Sequence, residues 1–274
     1  MGHPSIKKVA EFLIQNFDIN SGPIRCLDAF ADSYCLLKDT GRSEDVVEFC
    51  ERNFNDIRRT VVDHYELCVA NNYPVDFEII GTGNDYIRGM AWSHDGMAAD
   101  ERLIRSRRSK IGANIERIDA LDANGFEALM VAFLVSMGAS SYKITPASKD
   151  DGVDFVGKID LTVNQDDGAT YSLIDNFSTY VVGQAKHYKK TNFKISDVRE
   201  LIGSVGMVRN GISAYSPTRS DRFGIRPYDP IFAVLVTSGN VSKFGWDFAS
   251  RSGVLVIDGR QLAAHLTESG YFDD

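Results

Sequence analysis

The 274-residue chain contains no apolar run long enough to cross a bilayer, which excludes a helical membrane protein. Its start lacks the basic, apolar and small-residue order of a secretory leader. Met1-Gly2 invites a myristoylation reading, but the sixth residue is Ile6 where the motif needs Ser or Thr. The expectation is therefore a cytoplasmic protein. Cysteine is sparse. Cys26, Cys35, Cys50 and Cys68 all fall in the first quarter and match no close-paired zinc spacing, so buried reduced thiols are expected. Gly81-Thr82-Gly83-Asn84 has too little glycine pattern for a phosphate loop and no Lys-Ser/Thr after it. No internal repeat is visible. A basic excess is missing too: the formal net charge is −8. That weighs mildly against a nucleic-acid partner, although local patches decide binding.

Positive charge is nevertheless concentrated in one span. Lys186, Lys189, Lys190, Lys194, Arg199, Arg209, Arg219, Arg222 and Arg226 meet only Asp197, Glu200 and Asp221 there. An earlier basic run, Arg102, Arg105, Arg107, Arg108 and Lys110, reads as a solvated face or linker, with phosphate contact as the alternative.

Periodicity divides the chain in two. Residues 1–117 read as a mainly helical domain for target recognition or dimerisation. Ser5 caps a helix through Ile6, Val9, Leu13 and Phe17, and a longer helix runs from Ser43 through Tyr65. Val75 to Ile80 is a short strand. Residues 118–274 alternate helix and strand. Strands are expected at Ser141–Ile144, Val153–Lys158, Thr179–Ala185, Ile231–Val236 and Val254–Ile257. Helices are expected after Asn124, from a Ser196 cap, from a Ser242 cap and over Gln261–Leu266. The fold class is α/β, a mixed sheet with helices on both faces.

The chemistry centres on Asp151 to Lys186. Gln184 and Lys186 are two residues apart on one strand, hence on one face about 7 Å apart. Asp154 on a neighbouring strand can join them. An unpaired carboxylate or ammonium in a strand is costly, so a shared site is the economical reading. One carboxylate, an amide oxygen and a lysine suit Mg²⁺-dependent phosphodiester cleavage. Asp154 is the main anionic ligand, with the Gln184 amide oxygen and the Ala185 carbonyl beside it. Lys186 orients the attacking water and offsets developing charge. Gln184 leaves the site one negative charge short. Glu127 is the candidate to restore it, or else caps its own helix from the third position of Asn124-Gly125-Phe126-Glu127, or does both. Asp151 rivals Asp154. Asp154 could instead pair with Lys158, and Lys186 could be a strand-end charge. His187 should point to the opposite face.

At these residues the sequence resembles the Mrr-type restriction endonucleases of the PD-(D/E)xK nuclease superfamily. The matching pieces run in order over about residues 120–267. They are Gly125-Phe126-Glu127, Met137-Gly138, Asp151-Gly152-Val153-Asp154, Gln184-Ala185-Lys186, the helix through Val198, Glu200, Leu201 and Gly203, then Thr237-Ser238-Gly239, Phe248-Ala249, Gly253 and Ile257-Asp258-Gly259-Arg260-Gln261-Leu262. The resemblance implies a restriction-endonuclease-like fold, with Asp154, Gln184 and Lys186 in the catalytic positions and Glu127 in the helix-borne acidic one. It also implies a DNA endonuclease of host defence, cutting foreign and in some cases methylated duplex DNA with Mg²⁺, Mn²⁺ being able to substitute. The family often has a glycine pair where this chain has Asp151-Gly152. Asn164–Ser178 and Asn210–Asp229 are long loops that could reach DNA, and the N-terminal part shows no winged-helix pattern. Lys189, Lys190, Lys194, Arg219, Arg222 and Arg226 are the expected DNA contacts, and a homodimer is expected for cutting two strands. The rival readings are a repair or junction-resolving nuclease, a DNA-binding module with a decayed site, and an unrelated α/β enzyme.

Overall fold

The computed structural model describes residues 2–145, 152–160, 163–164, 170–171, 178–188, 193–212 and 224–273. They form two compact units, Met1–Gly112 and Ala113–Phe272.

In the first unit, α1 (Ile6–Asn16) starts at Ser5, whose hydroxyl accepts from the Lys8 N–H. Then follow β1 (Ile24–Arg25), α2 (Cys26–Lys38), α3 (Glu44–Arg52) and α4 (Phe54–Ala70). The single helix expected from Ser43 to Tyr65 is two helices. Asn53 ends α3, its N–H and side-chain amide both donating to the Phe49 carbonyl, and its own carbonyl then accepts from Asp56 and Ile57 to start α4. The unit continues with β2 (Phe77–Ile80), β3 (Tyr86–Gly89) and α5 (Ala99–Arg108). The strands pair antiparallel in the order β1-β3-β2, a small sheet beside the helices. Cys26, Cys50 and Cys68 are buried, Cys35 is half-buried, and all four are free thiols, as expected. Burial pushes the Cys26 and Cys50 thiols up to about 11.

The basic run on α5 holds a surprise at Arg105, which is buried rather than solvated. Its guanidinium meets Glu78 at 2.7 Å and Glu101 at 3.0 Å and donates to the Met90 and Trp92 carbonyls. Arg88 also meets Glu78, at 2.6 Å. Burial raises the Glu78 carboxyl, but the bonds from Arg88 and Arg105 outweigh it and hold the group below its usual range. Arg105 thus ties α5 to the β2–β3 hairpin.

The chain goes on through α6 (Ile111–Asp119), α7 (Ala123–Ser136), β4 (Ser141–Ile144), β5 (Phe155–Asp160), a two-residue ladder of β6 (Val163–Asn164) with β7 (Thr170–Tyr171), β8 (Ser178–Lys186) and α8 (Ile195–Arg209). It ends with β9 (Ile231–Thr237), α9 (Lys243–Arg251), β10 (Val254–Ile257) and α10 (Gly259–Glu268). The main sheet has the order β10-β9-β8-β5-β4. β10, β9 and β8 are parallel, whereas β5 is antiparallel to both β8 and β4. This is the expected mixed α/β sheet, and the continuous apolar run of β9 lies between two parallel neighbours.

Side-chain alternation sorts the core into two layers. Val181, Ala185, Phe155, Val234 and Val236 pack with Phe126, Met130 and Phe133 of α7 and Leu262 and Leu266 of α10. On the other face Val156, Tyr180, Val182, Leu235 and Val256 pack with Val198, Leu201, Val205 and Val208 of α8 and Ala249 of α9.

Three helix starts differ from expectation. Asp122, not Asn124, caps α7, accepting from the Gly125 N–H at 2.7 Å. Glu127 is therefore the fifth helical residue, out of reach of a capping box, which uses the third. Ser196 lies inside α8, whose first turn is held by Asp197 accepting from the Lys194 N–H at 3.2 Å. The last helix begins at Gly259, where Asp258 and Gln261 form a reciprocal capping box.

Gly183 of β8 is paired with Phe155 of β5, and a Cβ at Gly183 would run into the Phe155 ring. Gly183→Ala should therefore lower stability by about 1–3 kcal/mol or more, the usual effect of overpacking. Urea unfolding of the full chain checks this; an unchanged midpoint would mean that the ring can move aside.

Candidate active site

Asp154 sits at the entry to β5 rather than inside it. Its N–H donates to the Gly183 carbonyl at 2.9 Å, and its carbonyl accepts from Thr145, so the β5 ladder reaches one residue beyond the strand. The turn before it needs Gly152, which has φ of +72° and lies against Ser204 and Glu200 of α8. The Asp154 side chain reaches across the seam, and its Oδ2 accepts from the Ala185 N–H at 2.7 Å. Lys158, the alternative partner, pairs with Asp160 at 3.1 Å. Asp151 lies outside the described residues.

Gln184 and Lys186 project from the face of β8 that carries Tyr180 and Val182, toward α8. Gln184 is 1% exposed, and its Nε2 donates to Glu200 Oε1 at 3.1 Å. Its Oε1 is buried with no hydrogen-bond partner, the one such side-chain atom among the described residues. Lys186 Nζ lies 3.5 Å from Glu200 Oε2. One carboxylate of α8 thus holds both polar groups of β8.

Glu200 was the residue that reading along the chain missed as a site member. It is separated from Gln184 by a loop and more than a helical turn, and only the crossing of α8 over β8 brings them together. The available signal was the charge deficit at Gln184, which left acids on either flanking helix as candidates. Glu127 lies on α7, the helix against the opposite face of the sheet. It follows Phe126, whose ring stacks on His187 at 5.0 Å, so it is near the end of β8 that carries Lys186. Lys194 is exposed. Arg226 pairs with buried Asp229 at 2.8 Å through its guanidinium and also donates its N–H to that carboxylate. Lys189, Lys190, Arg219 and Arg222 lie outside the described residues.

His187 turns away from Gln184 and Lys186, as alternation requires. Its Nδ1 is 2.8 Å from Ser238 Oγ and its Nε2 2.8 Å from the Leu121 carbonyl, so both ring nitrogens are engaged. The next residue, Tyr188, donates to Asp197 at 2.8 Å. Burial and that carboxylate push its phenol well above the usual range. These contacts anchor the end of β8 to the starts of α7 and α8.

A metal ion is implied by the donor set, and an orphaned buried oxygen is the observation that tests the fit. Among the described residues no three His, Cys, Asp or Glu side chains come together as a metal-binding group. The set available is one carboxylate (Asp154), one unpartnered amide oxygen (Gln184) and a main-chain carbonyl (Ala185). All are hard oxygen donors, and Mg²⁺ commonly takes one or two carboxylates and keeps several waters. The residues fit a weakly held hard cation, not zinc.

Residues 118–215 match a family model described as restriction endonuclease, the Mrr-type catalytic domain. That segment thus resembles a restriction endonuclease catalytic domain. No curated protein sequence matches the chain. Among solved structures, the chain is similar to the MspJI restriction endonuclease in complex with a 27-mer oligonucleotide. That match has 19% identity and a TM-score of 0.37, and covers 67% of this chain and 37% of that one. It is also similar to AspBHI, a DNA modification-dependent restriction endonuclease. Here identity is 16% and the TM-score 0.34, covering 67% of this chain and 42% of that one. The chain thus spans about two-fifths of the length of those enzymes. Among the described residues no helix is long and apolar enough to cross a membrane.

If His187 only anchors β8, His187→Ala should cost about 1–3 kcal/mol of stability through its lost hydrogen bonds. DNA cleavage by the folded variant should stay within a few-fold of wild type. A loss of about a hundredfold or more with the fold intact would instead mark a group that moves protons.

Proposed function

We propose that the unit Ala113–Phe272 hydrolyses phosphodiester bonds of duplex DNA in a Mg²⁺-dependent reaction, with Mn²⁺ able to substitute. The reading rests above all on the unpartnered, buried Gln184 Oε1 beside Asp154 and Lys186 on adjacent strands. A native core seldom leaves such an atom without a partner, because desolvating it without compensation costs about 1–3 kcal/mol. A bound cation would supply that partner.

Asp154, Gln184 Oε1 and the Ala185 carbonyl are the residues that would hold the ion. When bound, Mg²⁺ neutralises phosphate charge and stabilises the leaving oxygen. Asp154 is pre-positioned for this, since the Ala185 N–H fixes one carboxylate oxygen. Lys186, on the same face of β8 as Gln184, orients the attacking water and offsets negative charge that grows on the phosphate. Lys189, Lys190, Lys194, Arg219, Arg222 and Arg226 provide contacts to backbone phosphates. Glu127 adds negative charge from the start of α7. The N-terminal unit reads the target or pairs two copies, so that a homodimer cuts both strands. The biological role in this reading is restriction of foreign DNA, methylated or plain, in the cytoplasm. The same residues would serve a repair or junction-resolving nuclease. Cleavage assays on plain duplex, methylated duplex and branched DNA separate these roles.

Lys186→Ala should reduce metal-dependent plasmid cleavage by at least about a hundredfold, the scale seen when one preorganised charge-stabilising group is removed. Thermal unfolding and DNA binding should be nearly unchanged. Full activity in that variant would overturn the assignment. Glu127→Gln should raise the Mg²⁺ concentration needed for half-maximal cleavage, and an unchanged requirement would remove Glu127 from the site.

A further inference from the structure

Gln184 poses a problem that its own chemistry cannot solve. A primary amide has a donor end and an acceptor end of nearly equal shape. Only the acceptor end can face a cation, and nothing in the strand selects it. Glu200 does. Its Oε1 accepts from Gln184 Nε2 at 3.1 Å, and the reversed amide would set oxygen against carboxylate oxygen. The unpartnered Oε1 is therefore the end left pointing away from α8. The second oxygen of the same carboxylate lies 3.5 Å from Lys186 Nζ. Glu200 also packs against Gly152, in the turn that leads to Asp154.

We propose that Glu200 is a positioning residue of the active site. It fixes the polarity of the Gln184 amide, steadies Lys186, and supplies from α8 the negative charge that a carboxylate at position 184 would have carried. This rests on the metal-dependent nuclease reading above. The geometry distinguishes it from a surface ion pair: Glu200 is half-exposed, but one of its oxygens accepts from Gln184, which is almost wholly buried, while the other faces Lys186. Outer partners of metal ligands commonly change metal affinity by about 10–100-fold when removed.

The test uses the full chain and Mn²⁺ as the probe, with bound ion measured from the loss of the free Mn²⁺ spin-resonance signal. Glu200→Gln should weaken Mn²⁺ binding by roughly tenfold or more with little change in thermal unfolding. The exchange Gln184→Glu/Glu200→Gln restores charge and complementarity. It should recover most of the affinity, even if either single variant folds poorly. Wild-type affinity in a folded Glu200→Gln chain, or an exchange variant no better than the single ones, would overturn the role of Glu200 alone. A wild-type chain that neither binds Mn²⁺ nor cuts DNA would overturn the nuclease reading and this inference with it.

Discussion

Phe155 of β5 lies over Gly183 of β8, and the antiparallel seam built around that contact is what the second unit depends on. Because Gly183 has no side chain, the ring can fill the space above the strand and join Phe133 in the core. The two strands are locked in a register that no one-residue slip could keep, since a slip would send Phe155 to the other face. The same register brings the Asp154 carboxylate to the Ala185 N–H. Packing on one face of the sheet therefore sets the chemistry on the other.

The division of the sheet into two faces explains how a polar site survives next to a dry core. Val181 and Ala185 point to α7 and α10, while Gln184 and Lys186 point to α8. Two carboxylates take up what would otherwise be unpaired. Asp197 collects Tyr188 and the start of α8, and Glu200 collects Gln184 and Lys186. Among the described residues only the Gln184 amide oxygen is buried without a partner, on the residue next to Ala185, whose N–H holds Asp154.

The N-terminal unit uses a similar device for a different end. Glu78 gathers Arg88 and Arg105, and the latter is buried in a stretch that reads as a run of surface charge. Removing Glu78 would leave buried Arg105 with only Glu101, itself half-exposed, and such networks hold elements in place even where they add little net stability. Runs of like charge do not reveal which member is turned inward, because that depends on which carboxylate the fold puts opposite.

Much of the architecture was legible in the order of residues. Alternation and apolar runs located β4 and β10 to the residue and β5, β8 and β9 to within two or so, because period-two burial is a local property. Alternation also put Gln184 and Lys186 on one face and His187 on the other. Helix starts were less legible where two candidates for a cap stood close together, as with Asp122 and Asn124, since each side chain can accept from N–H groups two or three residues further on. The break at Asn53 was hidden because α3 and α4 keep apolar residues in phase on both sides of it. The role of Glu200 was signalled only by the missing charge at Gln184, which did not say which helix would supply it. The meeting of Glu200 with Gln184 and Lys186 depends on the angle at which α8 crosses β8, and that angle is set by the packing of Val198, Leu201 and Val205 on the sheet. Sequence alone determined that Gln184 and Lys186 share one face of a strand; the tertiary structure decided which carboxylate holds them, because a contact between a strand and a helix crossing it has no period of its own.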